Sequence, residues 1–344
     1  SAWPWWSILN LLAAAVSITV ALRTTSVQVK TAEEIEGLRE AGKLAATILS
    51  EIAHYVKPNV TTAYLDRQAS RLIQAQGASA APLDYGGVLP FRVPSRVCKR
   101  WGQLWHTFTH RILGPLLPAA KEVSFALCGF PASTCISVNE VAMHGVPGST
   151  VLKEGDLVNV DVTVVLDGFH GDSSVMFLVG GPLLDKESPL VDGNSSMWGQ
   201  NLRLARIARE CLFAGLKEVR AGAHLGDIGA AIHEHAAAFG VGVSHQCYGH
   251  GLGRQFHEAP LVPHVAQRGT GIRMQTGMVF TVEPLVIAGK PSLVVDKDQW
   301  TMSTADGSQS AQWEHMVHVL DDGYEVLTWR PGETAPFLGT GTDA

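Results

Sequence analysis

Two aspartates in a valine-rich stretch, 158–172, constrain the fold of this chain more than any other feature. Valines alternate with polar residues around Asp161, which is the period-two pattern of a β-strand. The Asp-Gly pair at 167–168 predicts a hairpin turn, and a second extended run follows as far as Val179. We therefore expect Asp161 and Asp172 on neighbouring antiparallel strands. Their charges repel each other when buried, so the pair requires a cation or a shared proton.

Along the chain, the order helix, helix, strands is predicted to occur twice. Hydrophobic periodicity and capping residues predict four helices, at about 31–57, 61–77, 197–219 and 225–239. Extended segments follow each pair of helices, and a link rich in Gly, Pro, Asp and Ser at 180–196 separates the two sets. Two αβ halves that share a sheet would place a site between them. The partners of the aspartates should therefore come from the second half.

Three residues of the second half are suitable partners. His250 lies in the segment YGHGLG, whose glycines let the backbone approach a ligand closely. Glu283 ends the predicted strand MVFTVEP, and Glu314 occupies a strand-like position in SAQWEHMVHV. Four carboxylates and one imidazole on such backbone suit a pair of divalent cations. Oxygen-rich ligation with one nitrogen favours Mn, Fe or Co over a structural zinc.

Two more histidines are candidates for catalysis. His257 follows His250 in the same segment, and His144 precedes a Gly-Val-Pro turn. Either side chain is able to donate to a developing oxyanion or to position a substrate. The alternative for both is an ordinary loop histidine.

Charge and cysteine usage exclude several classes of protein. The formal net charge is −6 and no basic excess exists, so we expect no nucleic-acid partner. The chain has 5 cysteines and no CxxC pair. This pattern argues for a reducing compartment and against both a disulfide framework and a structural zinc knuckle.

The N-terminal stretch 1–22 carries no charge and is strongly apolar from Ile8 onward. A signal-anchor helix is one interpretation. We favour an organelle-targeting or poorly ordered leader, or a false start of the gene model, because the apolar run is at the short limit of ~20 residues for a membrane span.

The segment 88–128 has neither helical nor strand periodicity. It contains several arginines together with Trp101 and Trp105, so one interpretation is a basic-aromatic binding loop. We favour an insertion without an evolved role, because structureless insertions of this length are uncommon within compact domains.

Taken together, the motifs resemble those of type I methionine aminopeptidases. The resemblance covers about residues 27–330 apart from the insertion, and it rests on GFPASTCISVNEVAMHGVP, VNVDVTVVLDGFHGDSSVMF, YGHGLGRQFHEAP, MVFTVEP and SAQWEHMVHV. It implies an α+β chain with the pita-bread fold, in which pseudo-two-fold αβ halves surround a curved antiparallel sheet. It places a single catalytic domain at 27–330, interrupted at 88–128, which leaves a hydrophobic leader at 1–26 outside the fold and a tail at 331–344. The leader is not a feature of the minimal cytosolic enzyme.

The resemblance further implies a role for each candidate residue. The metal ligands would be Asp161, Asp172, His250, Glu283 and Glu314, with Asp172 and Glu314 bridging two ions. The catalytic residues would be His144, His257 and Glu283. The substrate contacts would be these two histidines together with the methionine pocket of Tyr85, Phe130, Cys135, Phe256 and Trp300.

The implied activity is metal-dependent removal of the initiator methionine from nascent proteins whose second residue is small. A water activated by two divalent ions, of Co, Mn or Fe, would attack the first peptide carbonyl. The expected partners are nascent N-termini, including ribosome-bound ones, and the expected state is a cytoplasmic monomer. Organelle targeting or membrane anchoring through residues 1–22 is the alternative location.

The insertion is the main departure from the family, since it separates Tyr85 from Phe130, two walls of the implied pocket. A loop that bulges outward would leave the metals untouched, whereas one that disturbs the wall would raise KM. Two alternatives stay open: another pita-bread metallopeptidase, such as an Xaa-Pro aminopeptidase, or a non-catalytic binding protein. The first carries a separate N-terminal domain, whereas here the first helix is expected near residue 31.

Overall fold

The computed structural model describes residues 26–86, 129–184 and 196–336. The predictions for the leader up to residue 25, for the insertion 88–128, for positions 185–195 of the link and for the tail from residue 337 lie outside these ranges. Within them, no helix is both long and apolar enough to cross a membrane.

The helices expected from periodicity are all present in the described residues. They are α1 (Ala32–Ile52), α2 (Thr62–Ala75), α3 (Met197–Leu216) and α4 (Leu225–Ala238). α1 begins at its predicted capping box, where the N–H of Glu34 donates to Thr31 Oγ1 and the N–H of Thr31 donates to Glu34 Oε2 at 2.9 Å. Each helix ends a few residues before its predicted end, since turns or a short 3₁₀ segment replace the last helical residues.

The strands are short except for the central pair. They are β1 (Ser79–Ala80), β2 (Cys135–Val138), β3 (Val141–Met143), β4 (Leu157–Leu166), β5 (Phe169–Leu178), β6 (Gly242–Val243), β7 (Tyr248–Gly251), β8 (Glu258–Pro263), β9 (Val279–Val282), β10 (Leu285–Ile287), β11 (Leu293–Val295), β12 (Met302–Thr304), β13 (Ser310–Gln312), β14 (His315–Leu320) and β15 (Gly323–Val326).

The predicted hairpin of two aspartate-bearing strands is confirmed. β4 and β5 pair in register along their whole length, from Leu157↔Leu178 to Leu166↔Phe169. Asp167 has a φ of 49° and Gly168 a φ of 79°. Two consecutive positive φ values match the type I′ turn, whose twist suits a two-residue hairpin loop.

In the described residues, the antiparallel strands form several separate sheets rather than one continuous sheet. In one sheet, β1, β2 and β5 all pair with β4. The sheet with the most strands has the order β15-β14-β9-β7-β8. The two halves of the chain meet where β3 pairs with β12 and where Ser174 bridges Glu314. The site lies beside this second junction.

Helices cover one face of these strands. One large apolar cluster contains residues of every helix, such as Ile48, Leu65, Leu212 and Ile232, together with the alternate valines of β4. Because side chains alternate along a strand, Asp161 points away from this core. The packing of the helices therefore leaves the opposite face of β4 and β5 for the site.

Packing also extends past residue 330, where the catalytic domain was expected to end. Glu333 is buried and contacts Arg209 of α3. The described cysteines, Cys135, Cys211 and Cys247, are buried free thiols.

Candidate metal centre

The β4–β5 hairpin places the two aspartates on one face. Asp161 pairs with Ser174 and Thr163 pairs with Asp172, so the carboxylates are diagonal neighbours on the same side of the ladder. Thr163 Oγ1 donates to Asp172 Oδ1 at 2.8 Å. The hairpin register therefore both brings the aspartates together and orients one of them.

Glu314 is held against the same hairpin by its backbone. Its N–H donates to the Ser174 carbonyl at 3.2 Å, and its own carbonyl accepts from Ser173 Oγ at 2.8 Å. Both partners of these bonds directly follow Asp172 in sequence. A residue from the second half of the chain is thus fixed beside the first-half aspartates.

His250 lies on β7 between two glycines that allow close backbone packing. A Cβ at Gly249 would lie 2.2 Å from the Thr281 carbonyl oxygen, and one at Gly251 would lie 2.3 Å from that of Ala259. The His250 Nδ1–H donates to the Gly251 carbonyl at 3.1 Å. This leaves the lone pair of Nε2 directed at the carboxylates, 3.6 Å from Asp172 Oδ2 and 3.7 Å from Glu283 Oε1.

Glu283 follows β9 and is oriented by three neighbours. Thr281 Oγ1 donates to Glu283 Oε1 at 2.7 Å, and Gln312 Nε2 donates to Glu283 Oε2 at 3.2 Å. The Glu283 N–H donates to His264 Nε2 at 3.1 Å. Thr281 Oγ1 also accepts from the His250 N–H at 3.0 Å, so one hydroxyl orients both candidate ligands.

The candidate ligands form a compact buried cluster. One ligand atom from each of Asp172, His250 and Glu314 lies within 4.8 Å of the others. Asp161 and Glu283 line the same cavity, which has a volume of about 400 Å³. The structure therefore brings together all the residues that the sequence suggested as ligands.

Burial of this cluster disfavours its negative charge. Burial first, and then repulsion by Asp172, raise the pKa of Asp161 and of Glu314 well above the usual range. Burial likewise raises the pKa of Asp172 to about 7, against the hydrogen bond from Thr163. Among the described residues that line the cavity, none is lysine or arginine. The cluster thus offers oxygen ligands and one imidazole without a cationic side chain, which fits divalent metal ions.

The cavity continues from this cluster into an aromatic wall. The rings of Phe130 and Trp300 meet edge to face at 5.5 Å, and those of Tyr85 and Phe256 lie 4.8 Å apart. Cys135 also lines this wall, and burial followed by the charge of Asp161 raises the pKa of its thiol well above the usual range. The wall is therefore apolar, with a neutral thiol.

His257 and His144 line the cavity beside the candidate ligands. His257 Nδ1 is 2.6 Å from the hydroxyl of Tyr85, and its ring lies 4.1 Å from that of His250. His144 directly follows β3 with a φ of 53°. Burial lowers the pKa of His144 to about 4 and that of His257 well below 6.5, so both imidazoles are neutral at pH 7.

Several residues that orient the site were not singled out from the sequence. Thr163 and Thr281 share a strand face with Asp161 and Glu283, so the period-two pattern contains a signal for both. Gln312 and His264 reach Glu283 from distant segments, and no local pattern indicates such contacts.

Comparison with known proteins identifies the family of this chain. The model of metallopeptidase family M24 matches residues 36–321. The methionine aminopeptidase of Escherichia coli K12 is 40% identical over 315 residues, which are 91% of this chain and 98% of that protein.

Solved structures agree with the sequence comparison. The crystal structure of methionine aminopeptidase from Rickettsia prowazekii matches with a TM-score of 0.70 and 35% identity, over 88% of this chain and 100% of the other. An Xaa-Pro dipeptidase from Bacillus anthracis has a TM-score of 0.57 at 18% identity, and the match covers 89% of this chain and 63% of that one. The second likeness concerns the fold alone, and together they confirm the expected pita-bread fold.

Proposed function

The chain belongs to metallopeptidase family M24, and from this membership we propose how its own residues act in the reaction of the family's methionine aminopeptidases. The enzyme removes the N-terminal methionine of nascent proteins. The observation that carries the proposal is the convergence of Asp172, His250 and Glu314 within 4.8 Å at one end of an aromatic cavity.

Two divalent ions, of Co, Mn or Fe, would be held by Asp161, Asp172, His250, Glu283 and Glu314. Divalent ions supply Lewis acidity and positive charge to such a site. Two features support this assignment: the ligand set is rich in oxygen, and the described lining has no cationic side chain.

Glu283 accepts the proton of the attacking water. Hydrogen bonds from Thr281 and Gln312 hold its carboxylate in one orientation, with an oxygen directed into the cavity. Burial, followed by the charge of Asp172, raises the pKa of Glu283 well above the usual range. General base catalysis requires an ionised carboxylate within reach of the water, and cations held beside Glu283 would favour that ionised form against the effect of burial.

His257 and His144 stabilise the tetrahedral intermediate. We assign the Tyr85 hydroxyl, 2.6 Å from Nδ1 of His257, as the donor of this hydrogen bond, which places the ring proton on Nε2. That N–H is then available to the oxyanion that develops on the substrate carbonyl. His144, which follows β3 in the first half of the chain, lines the same cavity and acts on the same substrate.

The aromatic wall accepts the methionine side chain. Phe130, Phe256 and Trp300 offer ring faces and edges, and sulfur contacts with aromatic rings are favourable. Tyr85 and Cys135 complete the wall. We expect the second residue of the substrate to be small, as the resemblance to the family's site implies.

The molecular setting follows from this activity. We place the enzyme in the cytoplasm as a monomer that meets chains at the ribosome. Its catalytic domain spans 27–330 and packs against the start of the tail 331–344 through Glu333, with a leader at 1–26 and an insertion at 88–128.

A peptide assay tests the proposal. Wild type, Asp172→Ala and a deletion of 88–128 are compared on Met-Ala-Ser and Leu-Ala-Ser, with and without Mn or Co. We expect metal-dependent cleavage of the methionine peptide by wild type and none by Asp172→Ala. Equal, metal-independent cleavage of both peptides contradicts the proposal. Turnover that appears only in the deletion identifies the insertion as inhibitory.

A further inference from the structure

An apolar surface borders the metal centre where the cavity is exposed. Tyr248 and Leu261 line the same cavity as His250, yet they are 47% and 51% exposed. They therefore lie where the cavity opens to solvent. We refer to these two side chains as the β7–β8 ledge.

The register of β7 and β8 fixes the position of the ledge. Leu261 pairs directly with His250, and Tyr248 is two residues from His250 on β7. Cross-strand partners and alternate residues share one face of a ladder, so the ledge and the His250 side chain face the same way. Val262, which alternates with Leu261, is fully buried in the core.

Exposed apolar side chains are common when they occur singly, but these two adjoin each other and a reaction site. Of the described large apolar residues that are exposed, Tyr85 also lines the cavity, and it contacts His257 instead. The proposed reaction leaves the ledge without a role.

We infer that the ledge binds the side chain of the third residue of the substrate and favours an apolar residue there. This inference rests on the proposed function. The carbonyl of the first residue must lie beside the ligands, including His250. An extended peptide advances ~3.3–3.6 Å per residue, so the third residue is about 7 Å further on. Tyr248, two residues along β7, lies at about that distance from His250.

The occupant is the substrate rather than another partner, because the ledge is continuous with the cavity that binds the first residue. The reaction requires the chain beyond the first residue to leave the cavity where it opens to solvent, and the ledge lies at such a place. An apolar side chain that covers Leu261 and the ring of Tyr248 removes apolar surface from water on both partners.

Matched peptides test the inference. Met-Ala-Leu-Ser and Met-Ala-Asn-Ser differ at the third residue by two neutral side chains of similar size, so repulsion by the carboxylates does not enter. We expect a kcat/KM for the leucine peptide about five- to tenfold higher in wild type, the discrimination that partial burial of one aliphatic side chain supplies. In Tyr248→Ala and Leu261→Ala this ratio should fall towards one.

A control variant and control peptides distinguish an effect at the ledge from a general effect on kcat/KM. Ile272 is 44% exposed and does not line the cavity, so Ile272→Ala should retain the wild-type ratio. Met-Ala-Ser-Leu and Met-Ala-Ser-Asn place the same pair at the fourth position and should be cleaved alike.

Four outcomes would overturn the inference. Equal kcat/KM values at the third position in wild type would overturn it alone, because metal-dependent cleavage of both peptides would still support the proposed function. A preference at the fourth position would overturn the assignment to the third residue. A dimer, seen by sedimentation, that dissociates in Leu261→Ala would assign the ledge to a second copy of the chain. Failure to cleave any methionine peptide would overturn the proposed function and this inference together.

Discussion

The metal centre and a second buried polar cluster differ in the source of their positive charge. We refer to Arg209, His315, Arg330 and Glu333 as the Glu333 cluster. Glu333 Oε1 lies 2.5 Å from Arg330 Nη2 and 3.5 Å from Arg209 Nη2. In the metal centre, the described lining contains carboxylates and neutral imidazoles but no cationic side chain.

Carboxyl pKa values shift in opposite directions at the two places. Burial alone would raise the pKa of Glu333, but His315, Arg330 and Arg209 outweigh it and lower the pKa to about 2. His315 is itself kept neutral by burial, so the two guanidinium groups supply the positive charge. At the metal centre, burial and mutual repulsion raise the pKa of Asp161 and Glu314 instead.

The difference separates a structural cluster from a functional one. The Glu333 cluster is complete within the chain, because its charges are balanced by side chains. The metal centre depends on cations from outside, so its stability and its chemistry should both respond to metal. The predictions below test this contrast from both sides.

The largest effect should follow from removing a central ligand. In Asp172→Ala we expect kcat/KM to fall on the order of 10³-fold, because several kcal/mol of charge stabilisation are lost and each tenfold costs about 1.4 kcal/mol. The metal-free variant should be at least as stable as the metal-free wild type, since one of several repelling carboxylates is gone. Peptide kinetics and urea denaturation with chelator check both parts. A large loss of metal-free stability would contradict the contrast.

The opposite result is expected for the Glu333 cluster. Glu333→Gln should reduce the free energy of unfolding by about 3–5 kcal/mol, because it leaves buried guanidinium groups without their carboxylate. Glu325→Gln is the matched control. Glu325 pairs with Arg39 at 2.8 Å, but its side chain is 34% exposed, so we expect a loss of about 1 kcal/mol or less.

The contribution of Glu333 should depend on pH with a definite sign. Its pKa is lowered from 4.5 to about 2 by folding, so its stabilisation is present above pH 4.5 and is lost as the pH falls towards 2. The difference in unfolding free energy between wild type and Glu333→Gln should therefore shrink from pH 6 to pH 3. Urea denaturation at several pH values measures it, and a difference that grows in acid would contradict the assignment.

Metal removal should destabilise the wild type alone. A ligand present at about 100 times its Kd stabilises the folded state by about 2.7 kcal/mol, so chelation should lower Tm and added Mn should restore it. Asp172→Ala should show a much smaller shift with Mn. Thermal melts of both proteins at one pH provide the comparison. Equal shifts in the two proteins would place the ions elsewhere.

The smallest effect should follow from loss of the hydroxyl that orients His257. Tyr85→Phe should lower kcat about tenfold, as expected for one hydrogen bond to a group that acts in the transition state. KM and the metal content should change little, because the ring remains in the wall. Tyr64→Phe is a control away from the cavity. A change confined to KM would show that Tyr85 only lines the pocket.

The sequence was sufficient for the parts of the molecule that depend on local physics. Strand alternation around Asp161, the Asp-Gly turn and the capping box at Thr31 each follow from a few neighbouring residues, and all are present. The candidate ligands also lie on extended or glycine-rich segments, so their residue types and local patterns were visible.

The features that were not predicted depend on contacts between distant segments. His264 accepts from the backbone of Glu283, and Glu333 meets Arg209 across 124 residues of sequence separation. The division of the strands into separate sheets also depends on contacts between distant segments, since it is determined by which short strands pair. Periodicity determines which face of a helix or strand a side chain occupies, but not which distant residues pack against that face.

The central claim is that the metal centre requires cations from outside the chain. Its most direct test is equilibrium dialysis of the full, chelator-treated chain against Mn, with elemental analysis and cleavage of Met-Ala-Ser measured on the same samples. We expect activity to rise from background with bound metal and to level off by two ions per chain. Full cleavage by a sample that retains no divalent metal would contradict the account.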